Sequence, residues 1–301
     1  PCLTSVANER VKRLVKLRTS HRARRETGSA LLVGADVIAE CVVRVAGDSA
    51  VQPRRLRTLL VRDGAEQHAD AAELLAAARA QGSARGARVP TFLASDDVMN
   101  KVAGVGSADG VVAVAEVEVP AAGDAASAPD WAASMNRVLA LDTVQDPGNV
   151  GTLLRTALAL GWGGALMLGD CCDVFNDKCL RAGRGAAAKL PTLRVGDSKA
   201  GAGAALRALQ AEGFTVVAAE PPRDEHEAAA ARDVLQALSA EHRVCLVLGS
   251  EGQGLSAEAK AACAGGSVSV PQDPGSMESL NVGVAGGILM YALGSGAEAA
   301  D

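Results

Sequence analysis

Residues 138–161 read VLALDTVQDPGNVGTLLRTALALG. The run VLALD is apolar without alternation, the pattern of a strand covered on both faces of a sheet. Pro147 and Gly148 stop the strand and turn the chain, and Asn149 is expected to cap the helix that follows. That helix is apolar except for Arg155, two turns inside on the side of Gly151 and Thr152. Burying a guanidinium without a partner is costly. Arg155 therefore either points to solvent or meets an anion.

Towards the C-terminus the strand–helix alternation repeats. ALMLG (165–169) precedes a helix near 176–188, and TVVAAE (215–220) precedes one near 227–240. VCLVLG (244–249) runs into a glycine-rich turn, and SVSV (267–270) precedes a closing helix over 279–293. This alternation predicts an α/β fold with a parallel sheet, whose ligands sit at the carboxyl ends of the strands. Three loops lie there: 143–149, 249–256 and 271–279. The second, LGSEGQGLS, lets the backbone turn sharply on three glycines and places Glu251 at a helix start, where a carboxylate is favoured. It lacks the Lys-Ser/Thr ending of a phosphate-binding loop and the spacing of a dinucleotide fingerprint. In the third, VPQDPGSMESLN, Ser279 is expected to cap the last helix, with Asn281 beside it. Gly283, Ala285, Gly286 and Gly287 suit that helix to close packing on another helix or a partner subunit.

Upstream, residues 6–25 form an amphipathic basic helix with Val11, Leu14, Val15 and Leu17 on one side. Strand and helix patterns over 30–42, 57–61, 71–82, 89–94 and 109–119 describe a small α/β sandwich. The stretch 120–134 is rich in Ala, Gly, Ser and Pro and reads as a linker. Three regions are expected: 1–119, a linker over 120–136, and 137–301.

Composition narrows the function. Of 301 residues, 49% are hydrophobic and 22% charged, as in ordinary globular proteins. Aromatics at 2% exclude a row of stacking platforms for single-stranded nucleic acid. Residues 1–62 hold 13 Lys/Arg against 5 Asp/Glu, and the remaining 239 hold 17 against 30. A basic front on an acidic body suggests a polyanion-binding module. Seven cysteines form no metal-ligand spacing, so no metal is expected; their odd number in a long chain favours a reducing compartment. Cytoplasm is the expected location, or a plastid or mitochondrial matrix if a transit peptide preceded Pro1. No apolar run approaches the ~18 residues of a membrane span, and no membrane partner is expected.

No loop decides alone, but their order and content do. DPGNVGTLLRTA, LGSEGQGLS and VPQDPGSMESLNVGVA resemble, in order, the three motifs of the SpoU/TrmH-type (SPOUT) RNA 2′-O-ribose methyltransferases. FNDKCLRAGRGAAAKLP (175–191) is similar to the family's Lys-x-x-Arg-Ala segment. Residues 4–118 resemble the L30e-like domain of members that act on large-subunit ribosomal RNA. Two departures stand out: the third loop is one residue longer than usual and carries Asp273 and Glu278, and Gly183 stands where the family often has Ser.

The resemblance implies a deep trefoil knot in 137–301, an L30e-like RNA substrate-binding domain in 1–119, a homodimer, and S-adenosyl-L-methionine as cofactor. It implies methylation of RNA, ribosomal RNA favoured over transfer RNA. Asn149, Arg155, Glu251, Ser279 and Asn281 match the catalytic set, and Gly249, Val270 and Leu280 match positions that hold adenine and ribose. A guanidinium keeps its proton at neutral pH, so the role expected for Arg155 is gripping the phosphate beside the target ribose. Arg22, Arg24 and Arg25, in the basic segment 10–25, are expected to recruit structured RNA through phosphates. The alternatives are a transfer-RNA methyltransferase and a non-catalytic RNA-binding ribosome-assembly factor on the same fold.

Overall fold

The computed structural model describes residues 2–43, 54–119, 127–195, 199–222, 224–239, 243–272 and 279–294. The chain divides into two compact units: Pro1–Ala121 with Phe175–Lys189, and Ala122–Val174 with Leu190–Asp301.

The first unit opens with β1 (Cys2–Leu3), α1 (Glu9–Thr19), α2 (His21–Thr27), β2 (Ser29–Val33) and α3 (Ala35–Val42). It continues with β3 (Leu56–Arg62), α4 (Ala69–Ser83), β4 (Thr91–Ala94), α5 (Asp96–Ala103) and β5 (Ala113–Glu118). The five strands form one mixed sheet in the order β1-β4-β3-β5-β2, with β5 antiparallel to both neighbours. Val11, Leu14 and Leu17 of α1 pack with Leu31, Leu60, Val98 and Val102 in its core.

The basic segment is two helices rather than one. Ser20 is extended (φ −123°, ψ 113°), and its hydroxyl accepts the Ala23 N–H at 3.2 Å to start α2. This break overturns the expectation for Arg24. The last carbonyls of α1 lose their helical partners at Ser20, and the Arg24 guanidinium turns back to donate to Leu17 O at 2.7 Å and Arg18 O at 3.1 Å. Arg24 is 3% exposed and cannot also grip a phosphate. Arg22 and Arg25 are exposed, Arg22 in an ion pair with Glu26 at 2.6 Å.

Beyond β5 the chain runs through β6 (Arg137–Asp142), α6 (Pro147–Ala159) and β7 (Gly164–Leu168). Next come α7 (Asp177–Gly183) and α8 (Ala186–Lys189), which belong to the first unit. Phe175 lies under the Arg54 guanidinium and Lys189 pairs with Glu40. The second unit resumes with β8 (Thr192–Arg194), α9 (Lys199–Ala211), β9 (Thr215–Ala219), α10 (Glu225–Ser239) and β10 (Val244–Gly249). It ends with α11 (Ala257–Ala262), β11 (Ser267–Val268) and α12 (Val282–Ala292).

The six strands form the parallel sheet that the apolar runs predict, in the order β11-β9-β10-β6-β7-β8. Every residue of β6 and β7 is buried. Alternation splits each strand between two cores: Val138, Ala140, Cys245 and Val247 meet Leu206 and Leu209 of α9, while Leu248 meets α6 and α12 on the other face. Gly286 lets that second layer close. A Cβ there would stand 2.4 Å from Leu153 and 2.6 Å from Leu248.

Of the expected linker, residues 120–126 lie outside the described residues. Its end is folded into the second unit: Asp130–Ser134 is a 3-10 turn, Ala132 is buried, and Trp131 packs on the core. Arg243 ties the turn down by donating to the carbonyls of Ala132 (2.5 Å) and Met135 (3.2 Å).

Candidate active site

Two helix starts differ from expectation, and both differences free a side chain. The cap of α6 is Asp146, whose Oδ1 accepts the Asn149 N–H at 2.8 Å, and Pro147 takes the first helical position. Asn149 is thus not the cap; its amide side chain is left to reach elsewhere. The cap of α12 is Asn281 rather than Ser279: its Oδ1 accepts from Gly283 N at 2.9 Å and Val284 N at 3.3 Å. Ser279 stands outside the helix.

The amide side chains of Asn149 and Asn281 converge on one oxygen. Glu251 Oε1 accepts from Asn281 Nδ2 at 2.6 Å, from Asn149 Nδ2 at 3.1 Å and from Val282 N at 3.2 Å. Asn281 Nδ2 also donates to Asn149 Oδ1 at 3.0 Å. A single carboxylate therefore joins the loops after β6, β10 and β11. It sits at the start of α12, where the positive end of the helix dipole favours it. The sequence places it at the start of the helix following its own loop; the fold delivers it to a different one.

Beside this junction is a cleft of about 220 Å³ at the carboxyl ends of β9 and β10. Gly249, Val270 and Leu280 line it, with Glu251 and Ser279. Its apolar walls include Leu248, Val268, Val282 and Leu289, and Glu220 and Ser250 add polar groups. The backbone groups of Val270 and Leu280 have no hydrogen-bond partner among the described residues. An apolar hollow with a few unsatisfied polar groups is the usual character of a small-molecule site. The extra length and the acidic Asp273 and Glu278 of the third loop fall in 273–278, outside the described residues.

Arg155 is not part of the junction. It is exposed on α6, and its guanidinium has no hydrogen bond or ion pair to another described residue. Beside it on α6, Thr152 and Thr156 lie against Gly283 and Gly287 of α12, which are small enough to let the two helices approach.

One positioning group escaped the sequence reading. Asp142 ends β6 at 1% exposure, and its Oδ2 accepts the Ser256 N–H at 2.6 Å. It pins the far end of the Glu251 loop to the strand carrying the Asn149 loop. A charged residue closing an otherwise apolar run was the available signal.

Residues 136–291 match the SpoU rRNA Methylase family. The chain belongs to that family. Among curated relatives, this SpoU methylase is 32% identical over 203 residues to an uncharacterized tRNA/rRNA methyltransferase of Synechocystis, covering 67% of this chain and 66% of the relative. It is 35% identical over 190 residues to the 23S rRNA (guanosine(2553)-2′-O)-methyltransferase RlmP of Bacillus subtilis, covering 62% of this chain and 70% of that one. The chain thus spans about two thirds of the length of these relatives. The solved structure of the SpoU methyltransferase AviRb from Streptomyces viridochromogenes in complex with AdoMet superposes with a TM-score of 0.71 at 25% identity, over 95% of this chain and 97% of that one. The matched span of this SpoU methylase contains Asn149, Arg155, Glu251, Ser279 and Asn281.

Proposed function

We propose that the chain transfers a methyl group to a ribose 2′-hydroxyl of RNA, with large-subunit ribosomal RNA as the favoured substrate. The observation that carries the reading is the junction at Glu251, which holds three family-motif loops together beside a cleft. The names of the relatives that act on ribosomal RNA support the choice of substrate.

S-adenosyl-L-methionine fits the cleft and, when bound, supplies an electrophilic methyl group on a positively charged sulfur. The backbone groups of Gly249, Val270 and Leu280 are the ones to hold its adenine and ribose: all three line the cleft, and the unpaired groups of Val270 and Leu280 gain most from a partner in an apolar hollow. Asn149, Glu251 and Asn281 act as positioning residues that keep the loops rigid. Much of the rate of an in-line transfer comes from such alignment. Ser279, exposed at the cleft, orients the ribose hydroxyl. Arg155 grips the adjacent phosphate with its fork of donors and offsets the negative charge that grows on the ribose oxygen as its proton leaves.

The same reading takes the first unit as an L30e-like RNA-holding domain, and the second as knotted and dimeric. Support for a dimer comes from α12. Val284, Ile288 and Tyr291 are 52%, 44% and 76% exposed at positions i, i+4 and i+7, one face of a helix. A second copy covering that stripe would stand over the helix layer that carries Arg155.

The test is incubation of the purified chain with tritiated S-adenosylmethionine and unmodified large-subunit ribosomal RNA or transfer RNA transcripts. Label should enter the ribosomal transcript at a position that then resists alkaline cleavage, the mark of a blocked 2′-hydroxyl. Label on a base, or none despite bound cofactor, would overturn the reading.

A further inference from the structure

The first unit holds a second groove whose charged side chains are all of one sign. It lies between the C-terminal end of α4 and the start of β4 and encloses about 820 Å³. Its floor is small and apolar, with Ala78, Gly82 and Pro90, and its only charged residues are Arg79 and Arg88. Arg85 stands in the turn between them. All three arginines are exposed, and none of their guanidinium groups has a hydrogen bond or ion pair to another described residue.

That is unusual for this unit. Arg13 pairs with Glu116, Arg22 with Glu26, and Arg57 with Glu118. The groove also belongs to the part of the chain where acidic residues outnumber basic ones, 30 to 17 over residues 63–301. A helix C-terminus ordinarily disfavours an anion. Here its carbonyls are occupied: Gly82 O accepts from Arg85 N at 3.2 Å and Ala87 N at 3.1 Å, and Ser83 O from Gly86 N at 3.3 Å. At the other end Phe92 lines the groove, with the Arg10 guanidinium 4.9 Å from its ring centroid.

We infer that this groove is where the first unit holds the RNA backbone, Arg79 and Arg88 taking phosphates and the Arg10–Phe92 pair taking an unstacked base. The inference rests on the RNA substrate proposed above. Unpaired guanidinium forks match phosphate oxygens in geometry and charge, and single-stranded loops are recognised by stacking on aromatic rings and guanidinium planes. A protein partner fits less well. None of the exposed large apolar side chains among the described residues lines the groove. It also supplies what the fold removed from α2, where Arg24 is spent on the carbonyls of α1.

The test measures binding of the full chain to an unmodified large-subunit ribosomal RNA transcript across a salt series, for the native protein, Arg79→Glu/Arg88→Glu, and Phe92→Leu. The charge reversal should weaken binding at least tenfold. It should also flatten log Kd against log salt by about 1.4–1.8, two phosphates' worth at ~0.7–0.9 each. Phe92→Leu should weaken binding severalfold without changing the slope. In Arg79→Glu/Arg88→Glu, melting temperature and S-adenosylmethionine affinity should stay as in the native chain, since both side chains are exposed and unpaired. Native-like affinity and slope in Arg79→Glu/Arg88→Glu would remove the groove while leaving the methyltransferase reading intact. Poly-glutamate competing as strongly as the transcript would reassign the groove to an acidic protein and overturn the inference. A native chain that binds S-adenosylmethionine yet neither binds nor methylates the transcript would sink the RNA reading itself, and the groove with it.

Discussion

Glu251 Oε1 and Asn281 Nδ2 are 2.6 Å apart, and the same asparagine caps α12 through its Oδ1. One side chain thus starts a helix and holds the carboxylate of a loop 30 residues away in sequence. The position of α12 and that of the Glu251 loop are mechanically one quantity. Glu251→Ala leaves two amide side chains and the Val282 N–H without their acceptor. Because the site is exposed and water can substitute, the stability loss should be about 1 kcal/mol, or about 2–4 °C in melting temperature. Cofactor affinity should fall by more than that loss alone accounts for, because the cleft wall moves with the loop. Calorimetric titration of S-adenosylmethionine into Glu251→Ala and Glu251→Gln checks this, and undiminished affinity in the alanine variant would count against the coupling.

Arg155 has the opposite profile: exposed, without partners among the described residues, and inside a family motif. Arg155→Ala should leave stability within about 0.5 kcal/mol of native, as expected for a surface change. Methyl transfer should drop about 10²–10³-fold, the usual loss when one preorganised charge-stabilising donor is removed. Single-turnover transfer and thermal denaturation, run side by side, separate the two. Transfer at the native rate would exclude Arg155 from the reaction.

The stripe on α12 gives a prediction about assembly. Ile288→Asp together with Tyr291→Asp places two carboxylates where a partner helix would seat apolar side chains. Both positions are exposed in the single chain, so its fold should survive. Light scattering should find the native chain at twice the monomer mass and the double variant at the monomer mass. A native chain that is monomeric at micromolar concentration would refute the dimer.

The buried thiols give a pH dependence. Burial pushes the Cys171 thiol up to about 12 from an ordinary 9.0, and it donates to Leu141 O at 2.9 Å. Below pH 9 the thiol is protonated whether the chain is folded or not, and its contribution is constant. Between pH 9 and 12 the unfolded thiol ionises while the folded one does not, so stability falls as pH rises. Urea midpoints at pH 8 and pH 10 should therefore differ less in Cys171→Ala than in the native chain. An equal pH response in both would show that Cys171 contributes nothing.

The sequence carried the second unit well because parallel strands announce themselves. VLALD, ALMLG and VCLVLG are buried and, Asp142 apart, apolar, and the glycine- and proline-marked turns after VLALD and VCLVLG locate the loops. What it lost were elements with little periodic signal. Three-residue β8 is too short to show alternation, α9 is diluted by Gly201 and Gly203, and the break at Ser20 hides inside a continuous amphipathic pattern.

The residues of the site were legible as chemical types, but their duties were not. Chain order decided that Asn149, Glu251 and Asn281 exist and that each sits near a helix start. Only folding decided that Glu251 serves the start of α12 rather than of its own helix, and that the Asn149 and Asn281 amides meet on it. The physical reason is that local pattern fixes which hydrogen bonds a residue can make nearby. Which of them it makes depends on the partners that a sheet of non-consecutive strands brings within hydrogen-bond reach, and those partners are remote in sequence.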